Sequence, residues 1–496
     1  MSISGVGLRS SAMVQSLVDM RAQLADLQRQ LGTGKKSDTY AGLGLDRGLS
    51  VGLRARLSAL QGYDSTINNA NVRINLATSA LTRIADIGRE SKSSIAATST
   101  ISSQIAQQTA QSGLGEILGL LNTQSGDRYV FSGLSTDTPP VESVDHILDG
   151  DGARAGLKQL ISERNQADLG TGQMGRVVVS QPSVTAVGVG EDVAGSVFGF
   201  KLAAISTNLT GATTSAPAGS PPQMSVDLGG TNPNAGETVS FSFDLPDGTS
   251  TTLTLTATSS ANPGPNEFQV GADTIATAAN LQAALTNAIG TAARTTLAAA
   301  SAVQASNEFF NADTGNPPLR VSGTPATATS LTAGTAADTV IWYTGETSAT
   351  PARATATARV DDSVTATYGV RANEEAIRNT VQNVATLAAM TFSTTDPDAQ
   401  ARSSALNDRL RPALDVPPGQ QKIEDIEAEL AGAQTTLAAA SDRHQQTNAT
   451  LSDLLQSIEG VSNDQVAAQI LALQTNLQAS LQTTAMLYQT SILKYL

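Results

Sequence analysis

The sequence predicts an α+β fold: a long coiled-coil helical column formed by the N- and C-terminal segments, with a mainly β outer insertion between them. Apolar residues recur at steps of three and four near both ends, whereas the middle alternates apolar residues with Thr and Ser at a period of two. Charge separates the two materials further, because no Lys or Arg occurs between Leu202 and Ala293.

The N-terminal stripe is Met13, Leu17, Met20, Leu24, Leu27 and Leu31, a heptad pattern. The Gly-rich stretch GTGKKSDTYAGLGLDRGLSVG (32–52) interrupts it. The stripe resumes as Leu53, Leu57, Leu60, Asp64, Ile67, Ala70, Ile74, Ala77, Leu81, Ile84, Gly88, Ser91 and Ile95. Its small and polar members, Asp64, Gly88 and Ser91, read as places where helices approach closely or admit water. A third helical piece carries Leu114, Ile117, Leu118 and Leu121. It leads into SGDRYVFSGLSTDTPPV (125–141), where a Gly-Asp turn precedes Tyr129 and Phe131 and the Pro139-Pro140 pair follows. This reads as a short strand over 126–135. Its two aromatics share a face and pack on the column, and the Pro pair ends the pairing and turns the chain outward.

The C-terminal end mirrors the first. Ile423, Ile426, Leu430, Ala433, Leu437, Ala440, His444, Thr447, Leu451, Leu454 and Ile458 keep steps of three or four. Gly460 reads as a helix stop and Asn463 as the N-cap of a last helix carrying Val466, Ile470, Leu473, Leu477 and Leu481. A seam held at a period of 3.5 calls for partner helices. Alone, the first helix buries too little to offset the ordering of its backbone. The expected partners are the C-terminal helix and then other copies of the chain.

Between residues 141 and 370 the heptads stop. TVSFSFDLPDGTSTTLTLTAT (238–258) alternates through Val239, Phe241, Phe243 and Leu245, turns at Asp247-Gly248 and returns through Leu253 and Leu255, a hairpin pattern. Residues 275–290 read as a helix and 337–345 as a further strand, with a subdomain boundary near 205. Helix returns after Asn373, a candidate cap, and Asp396-Pro397 opens another helix with Pro at its first position. The expected segments are therefore 1–52 (assembly helix and loop), 53–140 and 371–460 (the column halves), 141–370 (the insertion) and 461–496 (the C-terminal assembly helix).

Composition narrows the function. Aromatics are 3% with one Trp, Trp342, too little bulky material for several dense enzyme-like cores. A net charge of −14 argues against nucleic acid and anionic membrane as partners. The absence of Cys removes disulfides, thiol catalysis and Cys-ligated zinc. No apolar run approaches the roughly 18 residues of a membrane span, and the N-terminus carries no apolar block of signal-peptide length. His146 and His444, the only histidines, lack companions for a zinc site. Asp145, Asp149 and Asp151 lack the spacing of a calcium loop and read as an acidic turn. GTGKK (32–36) has no preceding strand and its glycines are too close for a phosphate loop. No catalytic, cofactor-binding or metal-binding residues are expected, and the chain reads as a structural protein rather than an enzyme.

QLADLQRQLGTGKKSDTYAGLG (23–44) resembles the N-terminal helix and following loop of the bacterial flagellin superfamily, in which Leu-x-[Ser/Thr]-Gly-Lys closes the helix. LNTQSGDRYVFSGLSTDTPPV (121–141) is similar to the flagellar hook–filament junction proteins (hook-associated protein 3 type), and VAAQILALQTNLQASLQTTAMLYQTSILKYL (466–496) resembles the C-terminal helix of that group. The resemblance covers about residues 1–140 and 370–496. Many relatives carry Asp-Asp-Pro in the loop after the Lys, where this chain has Asp38 alone. The resemblance implies a secreted, extracellular part of the bacterial flagellum, exported unfolded through the type III channel with an export chaperone and without cofactors. It also implies self-association, with a hook-associated protein and flagellin subunits as neighbours. A filament flagellin is the alternative it allows, and a surface adhesin built on the insertion is a third reading.

Overall fold

The computed structural model describes residues 3–95 and 100–492. In chain order the helices are α1 (Ile3–Thr33), α2 (Arg47–Ser94), α3 (Thr100–Leu121), α4 (Val144–Asp149), α5 (Leu157–Leu169), α6 (Thr274–Ala292), α7 (Ala298–Phe310), α8 (Glu375–Ala389), α9 (Ala399–Leu414), α10 (Ile423–Glu459) and α11 (Asn463–Ile492). The fold is mixed α+β, with long helices at both ends. The chain forms two compact units, one of residues 1–69, 359–366 and 435–496, the other of residues 70–358 and 367–434.

In the first unit α1 packs against α11. The start of α2 and the end of α10 supply the rest, with Leu53, Leu60, Ile67, Leu437 and Ala440 buried at their stripe positions. The stripe thins along α10: Leu451 and Ile458 are half-buried and Leu454 is 48% exposed.

In the second unit, strands β1 (Gln124–Ser125) and β2 (Arg128–Tyr129) make a minimal hairpin around Gly126, whose φ of 62° suits glycine. The expected 126–135 strand is thus two residues long. Beyond Tyr129 the chain leaves the extended pattern, so Val130 and Phe131 are both buried and side-chain alternation does not hold. Eight of the strands that follow build the two larger sheets: β3 (Val177–Ser183), β4 (Ala186–Glu191), β5 (Lys201–Thr207), β6 (Thr213–Ala218), β7 (Gln223–Asp227), β8 (Thr238–Asp244), β9 (Ser250–Thr258) and β10 (Glu267–Gln269). They form two four-stranded sheets, β3-β4-β7-β6 and β10-β9-β8-β5, antiparallel except for the β10–β9 pair.

The β8–β9 hairpin is as the alternation predicts, Val239, Phe241 and Phe243 being fully buried. Helix α6, capped by Asp273 through the Ala276 N–H, packs on strands of both sheets. One apolar core joins Leu169, Val187, Phe200, Val226, Phe241, Phe268 and Leu285. The expected break near residue 205 therefore falls inside a single core, because β5 bridges its first half to β8.

Residues 337–345 do not form a strand. They make isolated bridges, Ala155 with Thr339 and Val141 with Tyr343, whose backbone bonds (Val340 N–H to Ala155 O, Glu142 N–H to Trp342 O) do not extend into a ladder. Trp342 donates Nε1–H to the Phe310 carbonyl at 2.9 Å and meets the Phe310 ring edge-on. Two helix starts also shift. Helix α8 begins at Glu375 beyond Asn373, and α9 at Ala399, where the Asp396 carboxylate accepts the Asp398 N–H.

Candidate assembly surface

Helices α1 and α11 carry the predicted seam, and the structure brings its two halves together. Val466 and Ile470 are buried, while Met13, Leu17, Met20, Leu24, Leu27, Leu473 and Leu477 are half-buried. Leu31 and Leu481 are exposed. Two helices can cover only one side of each other, so apolar surface remains open. Val14 and Val18 on α1 and Leu471 and Met486 on α11 are each at least half exposed. A cleft of about 380 Å³ runs between the helices over Leu27 and Leu473, rimmed by Gln23, Asp26 and Asn476. Residues 493–496, which include the closing aromatic-Leu of the predicted helix, lie outside the described residues.

The Gly-rich stretch is an elbow rather than a phosphate loop. Gly34, at φ 66°, closes α1 through its N–H to the Gln30 carbonyl. The chain then pairs with the α10–α11 turn: Lys36 N–H donates to Glu459 O (2.7 Å), Val461 N–H to Gly34 O (3.1 Å) and Lys36 Nζ to Ser457 O (3.2 Å). Ser462, one residue before the predicted Asn463, caps α11 through the Gln465 N–H.

Glu459 ties the elbow together. Its carboxylate accepts Ser50 Oγ–H (2.5 Å), Arg54 Nε–H (2.9 Å) and Arg54 Nη2–H (2.5 Å). The Arg54 bonds, helped by Ser50, hold its pKa down at about 2. This clasp was not foreseen, although one signal was present. Glu459 is the last residue of its helix, where the macrodipole disfavours an anion, so a carboxylate there points to a cationic partner.

The two polar members of the long stripes also meet. His444, buried, shares a hydrogen bond between Nδ1 and Asp64 Oδ1 at 2.9 Å and lies beside the Tyr63 ring. The Tyr63 hydroxyl donates to Asp362 in the 359–366 segment, and Asp361 lies 4.0 Å from Arg443. His444 is thus a seam residue with a dedicated partner.

In the second unit the predicted turn is well tied. Phe131 is fully buried and its carbonyl accepts the Ala372 N–H; Tyr129 is half-buried and its N–H donates to Thr136 O. Asn122 closes the turn from behind, donating Nδ2–H to Val141 O and accepting the Val141 N–H. Pro139 is exposed and Pro140 buried, their carbonyls accepting from Thr344. Two carboxylates of the acidic turn have protein partners: Asp151 accepts the Arg154 and Ala153 N–H groups and Asp149 pairs with Lys158, while nearby Glu142 lies between His146 and Arg154.

Charge divides sharply between the units. The first holds eleven Lys/Arg and eleven Asp/Glu; the second holds 19 and 33, so it carries the entire −14. A surface that is apolar along two helices and neutral overall meets little repulsion from another copy of itself. No protein-family model matches this chain, and no curated protein matches it.

Proposed function

We propose that this protein is a structural subunit of the bacterial flagellum that joins hook to filament, and that it assembles through α1 and α11. The observation that carries the reading is the paired terminal helices, which leave apolar stripes uncovered on a unit of zero net charge. The 23–44, 121–141 and 466–496 motifs give that surface its context. In this reading α1 and α11 are the seam of a coiled-coil column, neighbouring copies cover Val14, Val18, Leu471 and Met486, and the elbow sets the angle at which each copy presents its helices. A hook-associated protein and flagellin are the neighbours at either end. The chain acts by assembling, without catalysis or cofactor. A filament flagellin is the second reading, favoured by Asp38 standing without the Asp-Asp-Pro of many junction proteins. Immunogold labelling of intact flagella, with subunit counts in sheared filaments, tests both. Label confined to the hook–filament boundary at low copy number is the expected result. Label along the whole filament selects flagellin, and label on the cell body overturns both.

A further inference from the structure

The second unit contains a groove of about 720 Å³ between β10, with the loop before it, and α6. Strand β10 is the edge of its sheet and, among the described residues, pairs with β9 alone. Thr256 N–H donates to Asn266 O and Val270 N–H to Thr258 O, so residues 266, 268 and 270 turn their backbone groups toward β9. Glu267 and Gln269 therefore turn theirs toward the groove. On that side Glu267 N–H donates to Gly264 O and Gln269 C=O accepts Asn280 Nδ2–H. Among the described residues, no group pairs with the Glu267 C=O or the Gln269 N–H. This acceptor and donor, two residues apart, are the pair that one residue of an incoming parallel strand engages.

The lining selects the occupant. Its floor is small, with Ala284, Ala288 and Ala292, and amide and hydroxyl groups of Asn287 and Thr291 stand above it. No basic side chain lines it, and its one carboxylate, Glu267, spends only Oε2 on the Gly264 N–H. Around it lies a unit that carries the whole −14. The wall ends in a π-helical turn, Ala293–Leu297, a geometry that recurs at functional positions.

We propose that this groove binds an extended peptide segment bearing a basic side chain, which adds a strand to the free edge of β10 and sets its cation on Glu267. Backbone pairing supplies the docking and Glu267 the charge preference. The inference does not depend on the assembly reading.

The test is calorimetric titration of the full chain with a capped Thr-Ala-Lys-Ala-Thr-Ala peptide. The controls are the same peptide with backbone N-methyl groups at the two Ala residues flanking Lys, whose N–H groups face β10 when Lys lies on the Glu267 face, the peptide with Glu in place of Lys, and maltohexaose. Saturable binding of the first probe is expected, with clear preference over all three controls. Gln269→Pro deletes the free donor and should weaken binding about ten-fold, the scale of one hydrogen bond. Glu267→Gln should abolish the preference for Lys over Glu. If Gln269→Pro lowers the thermal midpoint, Asn287→Trp, an exposed rim change that fills the groove, carries the test instead. Absence of saturable peptide binding, equal binding of the N-methylated peptide, or binding of maltohexaose alone would overturn the proposal.

Discussion

Replacing Glu459 by Ala removes the acceptor for Ser50 and both Arg54 donors and leaves Ser50, which is fully buried, without its carboxylate partner. A hydrogen bond to a charged group contributes about 1.5–3 kcal/mol, and an exposed ion pair under about 1 kcal/mol. Because the Arg54 side chain is 43% exposed, its share belongs at the low end. The sum for Glu459→Ala is about 2–4 kcal/mol, concentrated at the elbow. Glu459→Gln keeps an acceptor for Ser50 and should lose about half of that. Hydrogen exchange at the Lys36 and Val461 amides, which close the elbow, is the direct readout. Both should exchange markedly faster in Glu459→Ala, while amides of β8 and β9 stay unchanged.

Acid should do the same to the native chain. The folded pKa of Glu459 is depressed to about 2 from the ordinary glutamate value of 4.5, so its contribution is complete above about pH 4.5 and is lost as pH falls toward 2. Elbow amides should therefore lose protection across that window, and Glu459→Gln should flatten the dependence. Unchanged exchange at Lys36 and Val461 in Glu459→Ala would refute the view that this carboxylate holds the elbow.

Leu477→Asp places a carboxylate in the half-buried α11 seam and should block self-assembly while leaving the folded second unit intact; sedimentation of assembled material reads it, and sedimentation equal to that of the native chain refutes the seam assignment. Phe131→Ala opens a cavity at the turn and should cost about 3–5 kcal/mol in urea unfolding, a loss under about 1 kcal/mol being the contrary result. Deleting residues 206–365 strands Val177, Val187 and Phe200 from their core partners. The product should be insoluble or lack a cooperative transition, and a soluble product that unfolds cooperatively would show that the core is divisible.

The terminal stripes were legible in the sequence because helical burial repeats every three or four residues, and Leu60, Ile67, Leu437 and Val466 all lie where that period puts them. The β8–β9 hairpin was legible for the same reason at period two, with Asp247-Gly248 at its turn. Asp64 and His444 were visible as polar interruptions of two separate stripes. Their pairing was not, because nothing local records which residue lies opposite on a helix 380 positions away. The Glu459 clasp has the same character: its dipole-opposed position was local information, but its partners Ser50 and Arg54 come from another helix. Residues 337–345 were misread since apolar runs look alike whether a sheet or side-chain packing buries them, and here Trp342 is held by Phe310. The single core across residue 205 and the open edge of β10 likewise depend on which strands end up adjacent. Periodicity is a property of one segment and is written in its residues; adjacency is a property of two, and only the folded chain decides it.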